Sequence, residues 1–481
     1  MIDSFRFKFQ HCQLHFGAAF LIALFVALLF LISPALALAV CSLLLLVLLP
    51  VDLLMSLFIC SQVILPNDWH TNVALGLVVN LMGIGVKLVD FFLFTILFIL
   101  FLKLFFCNLK GHVDDYDNHF LAKAVLLFIF TQFISFLLGA HSYGLKDALN
   151  HFKGVLCHLW IVFVLLLGIR KRTLSIRKIF LVFSGAIILK SFLLVSTYFY
   201  FPHLVSSIMG GTMWGGSGRF FLSNSNYLVI ILPILLAGFL FVNSRKANLR
   251  FLIVGIFVLL FMEQLVGQNR STFAVLLLNI IMLIMANIRN FSLRTFSRAN
   301  VFILGMIVFL LFVLLFNKPW SEGIVRRIAT LQNVVADTSW QYRMKHYSRY
   351  VDLGLKRPFL GFGYGKKFYA FGEETSLYFN QTTSQVDNAF ITIFVLSGIL
   401  GLVGLFNYVL AIGIFVHRNI KRVASQDAKL LLQLVFLCYW GYVFVSSMAS
   451  AHFLFSNSDV AFLGVGILYI RFLESQKSAS V

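Results

Sequence analysis

Residues 387–414 read DNAFITIFVLSGILGLVGLFNYVLAIGI, and after Asp387 the stretch holds no charged side chain. A bilayer core of about 30 Å is crossed by roughly 20 apolar residues in helical form, so this run is long enough to span. Comparable runs lie at about 14–33, 35–49, 51–65, 84–106, 121–139, 151–168, 178–200, 226–242, 251–266, 272–288, 300–316, 428–449 and 457–472. Pro50 and Asp52 leave 35–65 open as one bent helix or two short ones. The expectation is an all-α polytopic membrane protein of roughly 12–14 transmembrane helices with one large outer loop.

Composition agrees. Of 481 residues, 60% are hydrophobic and 12% charged, with a mean hydropathy of +0.94; a soluble domain has roughly 45–50% apolar and about 25% charged residues. A soluble enzyme is excluded. Disordered, collagen-like and coiled-coil chains are excluded too, because the apolar residues form unbroken runs rather than heptads or glycine triplets. Phe (56) outnumbers Tyr (15) and Trp (6), which suits lipid-facing and packed surfaces better than base stacking. The 38 Lys and Arg against 18 Asp and Glu leave a net charge of +20, which in such a chain reports loops near anionic lipid rather than nucleic-acid binding. Cys12, Cys41, Cys60, Cys107, Cys157 and Cys438 share no metal-type spacing and suggest no disulfide framework. Ala35-Leu-Ala37 looks like a cleavage site, but the apolar sequence continues to Leu49, so a retained first span is expected.

Short loops rich in Lys and Arg resist translocation. Four connectors carry them: Arg170 to Lys178, Arg245 to Arg250, Arg289 to Arg298, and Arg418 to Lys429. All four fall on one side, taken as cytoplasmic together with both termini. The opposite side then receives the loops near 201–225, 266–271, 317–386 and 450–457. The 317–386 loop carries ten basic residues, but long loops escape the rule. No internal repeat and no inverted pair of interrupted helices is evident, which weighs against a transporter.

The candidate chemistry lies on that outer side. Residues 210–226 run from a glycine-rich segment to Arg219, Asn224 and Asn226, directly before an apolar helix. Glycines allow close backbone approach, and a guanidinium offers a planar fork of donors for phosphate oxygens. A second arginine stands in Gln268-Asn269-Arg270-Ser271-Thr272, a short turn between spans. Each arginine read alone is equally an interfacial anchor that snorkels. Two on one face, each followed by a helix whose dipole points at the same place, favour an anion site. The long loop holds Trp340 to Tyr350, spaced for a helix with basic and aromatic faces that lies on the membrane or covers a sugar cleft. Arg357-Pro358-Phe-Leu-Gly361-Phe-Gly363-Tyr-Gly365 follows. Its glycine spacing is not a dinucleotide fingerprint, and it reads as a turn.

Arg219 with Asn224 and Asn226 at a helix entry, Arg270-Ser, Arg357 to Gly363 in one large loop, and an Asn388-led helix with Gly398-Ile-Leu-Gly401 form an ordered series. That series resembles the O-antigen ligase and polymerase superfamily of bacterial envelope glycosyltransferases. It covers about 200–475; the N-terminal third agrees only in hydropathy. The resemblance implies a multi-pass protein of the bacterial inner membrane, its active face periplasmic, acting on a glycan linked to undecaprenyl diphosphate. Ligases pass the glycan to lipid A core, polymerases to another lipid-linked repeat. No metal or nucleotide cofactor is implied. Arg219 and Arg270 match the arginines that hold the diphosphate, while Asn224, Asn226, Arg343, Arg357 and Asn388 are candidates for binding substrate. Four regions follow: scaffold helices in 1–200, helices with periplasmic arginine turns in 201–316, the periplasmic loop 317–386, and C-terminal helices in 387–481.

One departure matters. Ligases place a histidine directly before the Asn of the late helix, as base for the acceptor hydroxyl, and this chain has Asp387. A carboxylate can serve as base or orient the hydroxyl; Asp387 can equally be a helix cap. His346 and His452 are alternative bases. Arg343, followed by ten residues and Gly354, fits an arginine-to-glycine spacing of some polymerases. Within spans, Lys87 and Asp90 can neutralise each other at i, i+3, Lys103 and Lys190 are further candidates, and Glu263 is placed to hold Arg270. The first reading is a ligase, the second a polymerase; a protein O-oligosaccharyltransferase and a transporter are the remaining rivals.

Overall fold

The computed structural model describes residues 51–64, 78–81, 84–87, 95–102, 116–168, 176–200, 213–214, 219–220, 247–267, 338–366, 368–369, 382–383, 388–422 and 463–470, with isolated positions between 228 and 305 and at 49 and 460. Its helices are α1 (Val51–Ile64), α2 (Tyr116–Tyr143), α3 (Leu145–Leu156), α4 (Leu159–Gly168), α5 (Ile176–Tyr200), α6 (Ala247–Gly267), α7 (Thr338–Leu355) and α8 (Ala389–Arg422). Three helical stretches are long and apolar enough to cross a membrane: His119–Tyr143, Leu145–Leu166 and Ala389–Arg422. This is a helical membrane protein. Among the described residues the all-α expectation is relieved by three short antiparallel ribbons, β1 (Val78–Leu81) with β2 (Ile84–Lys87), β3 (Met213–Trp214) with β4 (Arg219–Phe220), and β5 (Phe368–Tyr369) with β6 (Thr382–Thr383).

One predicted span is redrawn, and a second gains detail. The span expected from residue 84 begins with β2, because Leu81 pairs with Ile84 across a two-residue Met82-Gly83 connection flanked by β-branched Val78, Val79 and Val86. Glycine in a two-residue loop between such residues favours a hairpin over a helix start; helix is described at 95–102. The span expected at 151–168 overlaps the membrane-long stretch Leu145–Leu166, which holds two helices, α3 and α4. They meet at Cys157-His158, where the His158, Trp160 and Ile161 amides bond to carbonyls three residues back. The runs expected at 14–33 and 428–449 lie outside the described residues.

The core is built where α8 runs against α2, with α3 and α4 also packed on α2, α7 on α8, and α5 on both α1 and α6. Side chains at three- and four-residue spacing on α2 and α8 point inward, among them Leu121, Val125 and Phe128 opposite Tyr408, Ile412 and Phe415. Phe128 and Tyr408 stack with ring centroids 5.3 Å apart. His158 closes this group, its Nδ1 3.1 Å from the Tyr408 hydroxyl. Small residues bring the backbones together: a Cβ at Gly404 would collide with Thr131, and one at Gly464 with the Trp160 indole. At the far end, buried Asp117 at the start of α2 binds Arg418 (2.6 Å) and Arg422 (2.8 Å) at the end of α8. The two helices are therefore antiparallel, with a charge clamp joining these ends.

Candidate functional site

The feature that organises the centre is a break in α8. At Gly398 the backbone takes φ 63° and ψ −160°, a combination essentially confined to glycine. A helix interrupted in an apolar surrounding leaves carbonyls before the break and amides after it without intrahelical partners, and these must be satisfied inside the protein. The Pro358–Gly363 segment satisfies them. The Ile399 and Leu400 amides donate to Pro358 (2.7 Å) and Phe359 (3.2 Å) carbonyls, while the Phe362 and Gly363 amides donate to the Val395 and Leu396 carbonyls, both at 2.9 Å. The stretch expected as a turn is thus zipped into an interrupted helix.

The segment continues between α2 and α3. Tyr364 donates its amide to Ser135 O at 3.1 Å, and the Gly365 amide donates to His151 Nδ1 at 3.1 Å. Side chains at Gly139 and Gly363 would collide with the opposing backbone, so this approach needs both glycines. With Gly361 N donating to Arg357 O at 3.0 Å, the amides of 361 through 365 all have protein acceptors. A glycine-rich loop that cradles phosphate needs those amides unspent. This segment is a structural strut, and recognition of an anion falls to side chains.

Gln132, fully buried on α2, ties the pieces together. Its Oε1 accepts from the Tyr364 hydroxyl (2.9 Å) and the Ser397 hydroxyl (2.7 Å), and its Nε2 donates to Gly401 O (3.3 Å) and Thr131 Oγ1 (3.4 Å). Two donors and two acceptors are the whole capacity of a glutamine amide. One side chain therefore joins both halves of α8 and the strut. Ser135 adds a hydroxyl bond to Leu396 O. Replacing Gln132 by Leu strands the two hydroxyls, at about 1–3 kcal/mol for each group left unpaired, and removes the extra bond to Gly401 O. Tyr364→Phe removes only one donor, and bonds of this kind between membrane helices average about 0.6 kcal/mol. In unfolding of the purified protein, Gln132→Leu is expected to cost several-fold more than Tyr364→Phe; equal costs would show that Gln132 is not the junction.

The half-helix before the break starts at Asn388, whose Oδ1 accepts the Ile391 amide at 3.0 Å. That is an N-cap bond to the third helical residue. Asn388, expected among the substrate-binding residues, commits its oxygen to the helix, and the cap hydrogen bond proposed as the alternative role of Asp387 is made by its neighbour. Arg357 lies exposed at the mouth of the strut, its Cζ 5.1 Å from the centroid of Phe362. Lys366 Nζ sits 5.4 Å from the same ring and 5.7 Å from Tyr143. Neither cation pairs with a carboxylate among the described residues.

Arg343 and His346 lie on α7, the helix expected from the Trp340–Tyr350 spacing. Arg219 lies in β4, which packs against α6, the helix that leads toward Arg270. Arg270, Asn224, Asn226, Asp387 and His452 lie outside the described residues, as do Asp90 and Lys103. Lys87 pairs with Val78 in the first ribbon. Glu263 is fully buried and takes a hydroxyl bond from Ser191 of α5, next to buried Lys190. Gln132, Ser135 and His151 escaped sequence reasoning because they fall in the region assigned to scaffolding. The available signal was Thr131-Gln132 and Ser135, a polar step inside an apolar run.

Residues 265–406 match a protein family described as O-antigen ligase. The match takes in Arg270, Arg343, Arg357, Asp387, Asn388 and the break at Gly398, and it supports the O-antigen ligase and polymerase superfamily. Arg219, Asn224 and Asn226 precede it. No curated protein matches the chain.

Proposed function

We propose that the protein is a membrane glycosyltransferase of the O-antigen ligase type, moving a saccharide from undecaprenyl diphosphate to lipid A core at the periplasmic face of the inner membrane. The observation that carries this reading is the family match over 265–406 coinciding with an Asn388-capped half-helix, held at its break by the strut that begins at Arg357. In the reaction, the acceptor hydroxyl oxygen forms a bond to the anomeric carbon as that carbon's bond to the diphosphate oxygen breaks. Asp387 takes the hydroxyl proton. Arg219 and Arg270 bind the departing diphosphate, whose negative charge grows as the bond breaks; fixed guanidinium donors at a dry edge stabilise it without reorganising. Asn224, Asn226, Arg343 and Arg357 bind the donor glycan and its phosphates. Asn388 contributes by fixing the half-helix head beside Asp387.

A repeat-unit polymerase is the second reading, favoured by Asp387 in the place where ligases carry histidine. The Arg343-to-Gly354 spacing adds little to it, because a side chain at Gly354 would collide with the Phe394 ring and packing alone accounts for that glycine.

A lipopolysaccharide gel from a deletion strain, complemented with wild type, Arg219→Ala or Arg270→Ala, tests the assignment. Bare core with long chains left on the lipid carrier is the ligase result; core bearing a single repeat is the polymerase result. Each arginine variant is expected to lose about 10²–10³-fold in transfer, the usual cost of one donor to a developing oxyanion. An unchanged ladder in the deletion strain would sink both readings.

A further inference from the structure

The geometry points to α7 and the elbow that follows it, Lys356–Leu360, as an arm seated in the bilayer interface rather than in water, its partner being the phospholipid leaflet. This inference does not depend on the proposed reaction. At about 100° per residue, the circumference of α7 divides into three sectors. Tyr347, Tyr350, Leu353 and Gly354 form the side packed on the protein. Met344, Val351 and Leu355 are exposed and fall within about 40° of one another. Gln341, Ser348, Arg349 and Asp352 occupy the remaining sector, also exposed. A helix with an exposed apolar stripe between a packed side and a charged side has the pattern of a helix lying in the membrane surface.

What covers the stripe follows from its continuation. Phe359 is 73% exposed, the most exposed large apolar side chain among the described residues, and Leu360 is exposed beside it. Their backbone is fastened to the break of α8, through Ile399 N to Pro358 O and Leu400 N to Phe359 O. The break lies in the uncharged part of a membrane-spanning helix, about 14 Å along from its first residue. From there Ile399, Val403, Phe406 and Leu410 run down α8 as one exposed apolar stripe with helical spacing. The arm's apolar surface therefore joins the lipid-facing wall of a spanning helix. Exposed Lys356 and Arg357 stand where the arm turns into Phe359 and Leu360, where long cationic side chains reach headgroup phosphates while their stems stay apolar.

The test uses the full chain, reconstituted in vesicles of phosphatidylethanolamine and phosphatidylglycerol. Nitroxides are attached at Met344→Cys, Leu355→Cys and Phe359→Cys, one at a time, in a chain whose six native cysteines are replaced, with Arg349→Cys as the polar control. Collision with oxygen, which partitions into lipid, is compared with collision with a water-soluble nickel chelate. The arm is in lipid if oxygen outcompetes the chelate several-fold at two or more of the three sites and the order reverses at 349. Preference for the chelate, or shielding from both reagents, at two or more sites overturns it. A benzoylphenylalanine in place of Phe359, in the chain with its native cysteines, provides a second readout. Photolysis is expected to add the mass of a phospholipid; addition only to protein would overturn the inference.

Discussion

Gly398→Ala is expected to remove glycan transfer and to destabilise the protein by roughly 2–6 kcal/mol. Two penalties add. An L side chain at φ 63° and ψ −160° carries backbone strain of about 1–3 kcal/mol, and the new Cβ would collide with the Phe359 carbonyl, an overpacking cost of about 1–3 kcal/mol. Relief by straightening α8 is closed off, because a continuous helix would turn the Leu396 carbonyl and the Leu400 amide away from the strut. Gly185→Ala on α5, where a side chain would meet open space, serves as control and is expected to gain about 0.5–1 kcal/mol from helix propensity. Unfolding of both variants in bilayers or detergent provides the comparison. A Gly398→Ala protein as stable as its parent would mean that α8 does not keep its break.

The reason such a break went unread lies in the kind of signal it leaves. Hydropathy made residues 387–414 a span from local pattern alone; α8 begins at Ala389. The Trp340–Tyr350 spacing likewise located α7, and the apolar run at 121–139 located α2. Each of these rests on residues within a few turns of one another. The zipper instead pairs Pro358–Gly363 with Val395–Leu400, and Gln132 reaches Ser397 across a separation of 265 residues. Backbone bonds of that range impose no periodicity on either partner. Three glycines at alternate positions were visible, but a turn, a phosphate loop and a strut that must pass close to Gly139 all call for glycine. Only the partners of their amides distinguish these uses, and those partners come from two distant helices.

The same accounting sharpens the expectation for Asp387. Two roles were open, base and helix cap, and they predict opposite outcomes for substitution. The cap bond at the head of α8 is made by Asn388 Oδ1 to the Ile391 amide, so losing the Asp387 carboxylate should cost little helix stability. Asn388→Ala, by contrast, should lose about 1 kcal/mol, the usual cost of an N-cap. If Asp387 accepts the acceptor's proton, Asp387→Asn and Asp387→Ala should each lower turnover by about 10²–10⁴-fold, the usual contribution of a positioned base, with unfolding nearly unchanged. Binding of the lipid-linked donor should also be unchanged, since the diphosphate is assigned to Arg219 and Arg270. Asp387→His, which restores the residue type of the ligases, should retain part of the activity, with its lower limit in pH moved toward the imidazole range. The measurement is single-turnover transfer in proteoliposomes, together with donor binding on the same preparations. Full turnover in both Asp387→Asn and Asp387→Ala would remove this residue from the mechanism and return the search for a base to His346 and His452. A loss that appears only in donor binding would instead make Asp387 part of the donor pocket.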